Sequence, residues 1–131
     1  MTKIQFINKL KSNYVNLDHV SSRVLDYKYY EYLLFQILIK YPCEDFKLLG
    51  LPQDLTINIC PSKGDYHFRK RTHVTLNYQL YKLYECSYYK SEAELVEATL
   101  KIVSRYKNGT ATIKDLSKEL SNKRNNYINQ L

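Results

Sequence analysis

The chain has 131 residues, of which 44% are hydrophobic and 25% charged, and it carries a formal net charge of +7 with a pI near 9.2. This composition is typical of a soluble globular domain, and it excludes a mainly disordered chain, a collagen-like repeat and a coiled-coil array. The longest apolar run, residues 33–39, is interrupted by Gln36 and is much shorter than the ~18 residues of a membrane-spanning helix. The N-terminus lacks the pattern of a signal peptide, so we expect a cytoplasmic protein that does not contact a membrane.

The amino-acid usage is biased toward residues with AT-rich codons. Phe, Tyr, Met, Ile, Asn and Lys together number 53, whereas Gly, Ala, Arg and Pro number 14. Such a bias is typical of genes from AT-rich bacteria and from their phages and plasmids. Because it also raises the lysine count, to 15 against 5 arginines, part of the positive charge reflects codon usage and not selection for an anionic partner.

Two helices are predicted at the N-terminal end. Thr2 and Gln5 have the spacing of a capping box, and apolar residues at helical spacing follow them, which predicts a helix over residues 3–13. A second helix is predicted to begin at Asp18, a residue type that caps helices well. This helix must end before Pro42, because the residue preceding a proline is pushed out of helical geometry.

The middle of the chain has the alternation of β-strands. Residues 55–59 alternate apolar and polar side chains, a second strand is predicted over residues 66–68, and residues 74–80 form the longest stretch of period two. The alternation slips at residues 80–81, which indicates a bulge or a further strand after a tight turn. A helix over residues 76–89 is the alternative.

The helical pattern returns after residue 90. Ser91 and Glu94 form a second capping box, and the helix that they open is predicted to stop at Gly109. Thr112 can cap a further helix that ends near Leu120. The sequence therefore predicts one α+β domain, in which helices pack on a small antiparallel sheet, with helical residues 1–41, β-rich residues 54–89 and helical residues 91–131.

No stretch of the sequence has the pattern of a catalytic or metal site. His19, His67 and His73 do not lie at metal-ligand spacing, the acidic residues are scattered, and no glycine-rich loop could cradle a phosphate. A thiol–imidazole pair, drawn from Cys60 or Cys86 and from His67 or His73, is the enzymatic alternative that the sequence leaves open. We predict no enzyme activity, no cofactor and no metal, and free thiols at the three separated cysteines, Cys43, Cys60 and Cys86.

Cations and aromatic rings are interleaved between residues 63 and 73. The predicted binding residues of this segment are Lys63, Tyr66, Arg69, Lys70 and Arg71. Cations attract phosphates and rings stack on bases, so a hairpin that carries both could enter a groove of a nucleic acid. The alternative is a solvated hairpin whose charges keep a sheet edge from pairing with other chains.

Residues 111–121 resemble the first helix and turn of a helix-turn-helix motif. Ser117 occupies the position where that motif needs a close approach of helices. The resemblance implies that Lys123, Arg124 and Asn125 begin a recognition helix, where their side chains could contact phosphates and bases. The alternative is a plain amphipathic hairpin or a frayed C-terminal tail.

Tyrosines are clustered over residues 27–32 and again over residues 78–89. Neighbouring residues of a helix point in different directions, so the tyrosines of the first cluster cannot all lie in a core. Tyrosine has a large apolar face and one polar atom, which suits binding surfaces. The two clusters therefore predict a contact surface for a protein or a nucleic acid.

The charge and the two basic segments favour a small, non-enzymatic nucleic-acid-binding protein of an AT-rich bacterium or of its phage or plasmid. The alternative is an inhibitor encoded by a phage or mobile element, of the anti-CRISPR or anti-restriction type. Such an inhibitor would bind a nucleic-acid-processing enzyme of the host and would need only an aromatic, charged surface. The sequence leaves the oligomeric state open.

Overall fold

A computed structural model describes residues 1–13, 21–51 and 71–131 of the chain. Within these ranges the backbone forms α-helices, and one short 3₁₀ helix, η1, follows the second α-helix. The elements in chain order are α1 (Lys3–Asn13), α2 (Ser22–Leu38), η1 (Glu44–Leu49), α3 (Arg71–Glu85), α4 (Glu92–Lys107) and α5 (Ile113–Asn129).

The predicted α+β fold is wrong for the described residues, which are helical and contain no strand. Residues 74–80, the longest predicted strand, lie inside α3, so the helical alternative is confirmed over residues 76–85. The strands predicted over residues 55–59 and 66–68 lie outside the described residues. Within the segment predicted to be β-rich, residues 54–89, the structure shows a helix over Arg71–Glu85.

The reason for this error is the burial pattern of α3. Leu76, Leu80 and Leu83 are completely buried, and their spacing of four and three residues is that of one helix face. Asn77 and Gln79, which the alternation assigned to an exposed strand face, are buried as well. The alternation of apolar and polar residues therefore breaks after Leu80 because the segment follows the helical period, and no bulge is involved.

Local capping is where the sequence predicted the structure best. Thr2 and Gln5 exchange hydrogen bonds of 2.9 and 3.2 Å at the start of α1. The Ser91 hydroxyl accepts the backbone N–H of Glu94 at 3.2 Å. Gly109, with a φ of 73°, follows the end of α4 in the left-handed conformation that glycine tolerates. The predicted bounds of α1 and α4 are confirmed.

Two other helix boundaries differ from the prediction. The α2 helix is capped by Ser21, whose hydroxyl accepts the N–H of Val24 at 3.3 Å, while Asp18 lies outside the described residues. The α5 helix runs without interruption through residues 121 and 122, where the helix-turn-helix motif requires a turn. The helix-turn-helix interpretation of this segment, and its alternatives of a plain amphipathic hairpin or a frayed tail, are therefore wrong.

The core lies between α2, α3, α4 and α5. The most extensive helix contacts join α3 to α5 and α2 to α3, and η1 packs against α4. Each leucine that becomes fully buried contributes about 1.5–3 kcal/mol of transfer free energy. The completely buried leucines of this core are Leu34, Leu76, Leu80, Leu83, Leu95 and Leu116.

A buried polar network ties α2, α3 and η1 together. The Lys28 ammonium lies 3.1 Å from a carboxylate oxygen of Glu31, and these residues are only 7% and 1% exposed. The Asn77 side-chain amide donates to the other oxygen of Glu31 at 3.2 Å and to the backbone carbonyl of Leu49 at 3.0 Å. Because buried charges are costly unless they are paired, this network fixes the relative positions of the three elements.

Candidate nucleic-acid interface

Tyrosines of α2 and α3 meet in a cluster of packed rings. The ring centroids of Tyr27 and Tyr78 lie 4.6 Å apart, and those of Tyr30 and Tyr78 lie 5.4 Å apart with near-perpendicular planes. Tyr81 extends the cluster at 5.5 Å from Tyr30. All four side chains are half-buried. The two tyrosine clusters of the sequence therefore contribute to one surface.

Three cations lie over these rings. The Arg124 guanidinium is 5.6 Å from the centre of the Tyr78 ring, and the Lys82 ammonium is 5.0 Å from that of Tyr30. The Arg23 guanidinium lies 5.5 Å from the ring centre of Tyr27, and its Nε donates to the tyrosine hydroxyl at 2.9 Å. Cations at such distances are attracted by the ring faces, which orient them. We call this surface the tyrosine–cation face; its members are Arg23, Tyr27, Tyr30, Tyr78, Lys82 and Arg124.

The tyrosine–cation face carries positive charge that carboxylates do not neutralise. Lys82 pairs with Glu85, but neither Arg23 nor Arg124 has a carboxylate partner among the residues that the structure describes. Several acids elsewhere in these ranges are paired with cations off the face, as in Lys3–Asp26, Lys40–Glu92, Arg105–Glu119 and Lys107–Asp45. The two arginines are thus available to an anionic ligand.

Two groups of the face have shifted pKa values. Burial acts to lower the pKa of Lys82, but the hydrogen bond and the charge of Glu85 outweigh burial and raise the pKa. Burial raises the pKa of Tyr30, and the negative charge of Glu85 adds to this effect. At neutral pH the face therefore presents charged lysine beside neutral tyrosine.

A second aromatic pair lies on the other flank of α5. The Tyr88 and Tyr127 rings are 5.3 Å apart and nearly perpendicular, and the Lys123 ammonium lies 5.7 Å from the centre of the Tyr88 ring. These residues, with Asn126, line a groove of about 430 Å³. Lys123 and Arg124 are about 100° apart around the helix, so α5 directs one cation toward each of its flanks.

Titration at alkaline pH tests the burial of Tyr81 and Tyr89. Burial raises the pKa of Tyr81 and of Tyr89 to about 12, with Glu85 and Tyr88 respectively adding to the effect. We expect both to ionise near pH 12 in an ultraviolet titration of the folded protein, but near pH 10 in denaturant. Since the folded-state pKa is the higher one, the contribution to stability is complete below pH 10 and is lost as the pH rises toward 12.

The variant Tyr89→Phe is the control for this titration, because it should lose one of the late-ionising groups and leave Tyr81 unchanged. The melting temperature, measured in parallel, should fall less steeply above pH 10 in this variant. A folded protein in which both tyrosines ionise near pH 10 would contradict the burial described here.

The predicted binding residues do not lie together on one surface among the residues that the structure describes. Arg71 is the first residue of α3. On α5, Arg124 belongs to the tyrosine–cation face, Lys123 lies over Tyr88 on the opposite flank, and Asn125 is exposed to solvent. The other predicted residues lie outside the described residues: Lys63, Tyr66, Arg69 and Lys70.

Two functional candidates were missed in the sequence, Arg23 and Lys82. Each lies four residues from a tyrosine of the face, Arg23 before Tyr27 and Lys82 after Tyr78. Residues four apart are neighbours on a helix surface, so this spacing was the available signal. For Lys82 the spacing gave no signal, because residues 74–80 were predicted to form a strand, in which residues four apart are not close neighbours.

One of the thiol–imidazole pairs of the enzymatic alternative, Cys86 with His73, is excluded by the structure. His73 lies in the first turn of α3, half-buried and 5.9 Å from the Tyr106 ring, whereas Cys86 follows the last residue of the same helix. About 20 Å of helix separates them, so they cannot form a thiol–imidazole pair. Cys43 and Cys86 are half-buried free thiols, and the remaining residues of this hypothesis, Cys60 and His67, lie outside the described residues.

In the described ranges, no three or more His, Cys, Asp or Glu side chains form a group that could hold a metal ion. Nor does any helix there have the length and apolar character needed to cross a membrane. No protein-family model, curated protein or solved structure matches the chain.

Proposed function

We propose that this protein is a small, non-enzymatic nucleic-acid-binding protein whose tyrosine–cation face contacts phosphates. The observation that carries the proposal is the placement of Arg124 and Arg23 on tyrosine rings, without a carboxylate partner in the described ranges. A guanidinium held in this way keeps its full charge and its planar set of donors, which match a phosphate group. Phosphate contacts of this kind supply most of the affinity of non-specific nucleic-acid binding.

The distribution of charge along α5 supports the same conclusion. Glu119 is the last acidic residue of the chain, and its carboxylate is held by Arg105 at 2.9 and 3.0 Å. Residues 120–131 therefore carry two cations and no acid. Of these two cations, Arg124 belongs to the tyrosine–cation face and Lys123 lies on the opposite flank, so this acid-free segment adds one positive charge to the face.

The salt dependence of binding tests this proposal. We expect the affinity for a labelled mixed-sequence duplex, followed by fluorescence anisotropy, to fall steeply as salt is raised. The variant Arg124→Ala should make the slope of log K against log salt shallower by about 0.9, the value for one lost phosphate contact. Arg124→Lys should retain most of the slope because it keeps the charge.

Lys101→Ala is the matched control. Lys101 is exposed on α4 and pairs with Glu97 at 3.5 Å, so its removal should leave the salt slope unchanged. Equal effects of the substitutions at residues 101 and 124 would mean that the face has no special role. Absence of salt-dependent binding to both duplex and single strands would overturn the proposal.

The inhibitor alternative is favoured by one observation, the packing of half-buried tyrosines beside arginine, since these residue types dominate the energetics of protein interfaces. A stoichiometric complex with a purified nucleic-acid-processing enzyme, formed without any affinity for nucleic acid, would support it. Under that outcome Arg124→Ala should weaken the protein complex instead.

A further inference from the structure

The side of α5 that faces away from the core carries a stripe of lysines and asparagines. Successive members are four, four, three and four residues apart, which keeps all of them on one helix face. Each is exposed, while Leu116, Ser117 and Leu120 on the opposite side are buried. We call it the α5 stripe; its members are Lys114, Lys118, Asn122, Asn125 and Asn129.

Helix stability does not explain the α5 stripe. An ordinary exposed helix face has oppositely charged pairs such as Glu97–Lys101 on α4, which stabilise the helix slightly. Asparagine inside a helix is less favourable than alanine. Codon bias explains why asparagine is frequent, but it does not place three asparagines on one face of one helix.

The acids of α5 do not neutralise the stripe. Asp115 lies in the first turn, where its charge favours the helix N-terminus, and Glu119 is held by Arg105. From Lys114 to Asn129 the stripe extends about 22 Å, which is about two-thirds of the roughly 34 Å of one duplex turn. Lys123 and Arg124 are half-buried on the core side of the helix, so the cations that the stripe offers to phosphates are Lys114 and Lys118.

Single strands are a poorer fit than a duplex. Base stacking needs a free ring face, and the Tyr78 ring is surrounded by Tyr27, Tyr30 and the Arg124 guanidinium. The exposed groups of the α5 stripe are amides and ammonium groups instead. An asparagine amide can both donate and accept a hydrogen bond, and this pattern matches N7 and N6 of adenine in the major groove.

We propose that α5 enters the major groove of duplex DNA and that Asn125 and Asn129 of the α5 stripe recognise adenine. This inference rests on the proposed function and assigns its ligand: a duplex with A·T base pairs, held by Lys114 and Lys118 at its phosphates.

The test uses the double variant Asn125→Ala/Asn129→Ala, in which alanine favours the helix and so preserves the fold. The probes are an A·T duplex of mixed A and T order, a G·C duplex of the same length, and the A·T single strand. The unaltered protein should bind the A·T duplex at least about fivefold more tightly than the G·C duplex, the lower bound for one bidentate contact. The double variant should lose this preference and keep its salt slope.

Two controls assign the loss to base contacts. Asn8→Ala removes an exposed asparagine from α1 and should leave the preference intact. A duplex with 7-deazaadenine, which lacks the N7 acceptor, should weaken binding of the unaltered protein but have no further effect on the double variant.

The outcomes separate this inference from the function on which it rests. Equal affinity for A·T and G·C duplexes, or tighter binding to the single strand, would overturn adenine recognition, while a steep salt dependence would leave the proposed function in place. Absence of binding to all three probes would overturn both.

Discussion

Replacing Glu31 by alanine is expected to lower the free energy of unfolding by about 3–5 kcal/mol, because it removes the carboxylate that pairs with a buried ammonium group. Lys28 lies 3.1 Å from this carboxylate and is only 7% exposed, so water cannot take over the interaction. The Asn77 amide, 3.2 Å from the same side chain, loses an acceptor as well. Chemical denaturation followed by circular dichroism measures the loss.

Two further variants separate charge from packing at this position. Lys28→Met/Glu31→Leu replaces the pair by apolar side chains of similar size and should recover most of the lost stability. Asp26→Ala removes a carboxylate of the same helix that is 38% exposed and paired with Lys3 at 3.3 Å, so it should cost about 1 kcal/mol or less. If all three variants were equally destabilised, packing and not the buried charge would account for the loss.

Leu116→Ala is expected to cost about 2–5 kcal/mol, the range for truncating a fully buried leucine. This side chain is 0% exposed and belongs to the core in which α5 packs on α3. The substitution therefore weakens the contact that holds α5 and its cations in place. The same denaturation measurement gives the change, and binding should fall only in proportion to the folded fraction.

Leu100→Ala is the matched substitution, since Leu100 is also helical but 38% exposed on α4. A change of about 0.5 kcal/mol or less is expected there, as for most surface positions. Similar losses at residues 100 and 116 would contradict the burial of α5 on the core.

The ends of α1 and α4 could be predicted because their determinants are local. Thr2 with Gln5, and Ser91 with Glu94, satisfy backbone N–H groups three residues away, so the sequence window that contains the residues also contains the interaction. No knowledge of the remaining chain is needed for such contacts.

The α3 helix could not be predicted in this way. Asn77 is polar, and its burial depends on Glu31 and Leu49, which are 46 and 28 residues away in the sequence. Without these partners the segment shows alternating apolar and polar residues, with tyrosine and β-branched side chains that favour strands. Long-range packing overrode that local preference.

The candidate site was predicted in part for the same reason. The basic residues Lys123 and Arg124 and the tyrosine clusters were singled out as binding features. Their combination was not predicted, because Arg124 meets Tyr78 only through the packing of α5 on α3. A distance along the sequence gives no sign of this contact.

The close packing of the tyrosine rings has an optical consequence. The chain contains no tryptophan, so its near-ultraviolet absorption comes mostly from tyrosine. Transition dipoles of rings 4.6 and 5.4 Å apart couple to one another, and the fixed angle between them makes this coupling chiral. The near-ultraviolet circular dichroism spectrum of the native protein should therefore report the arrangement of this cluster, and would reveal any ligand that separates its rings, without an added dye.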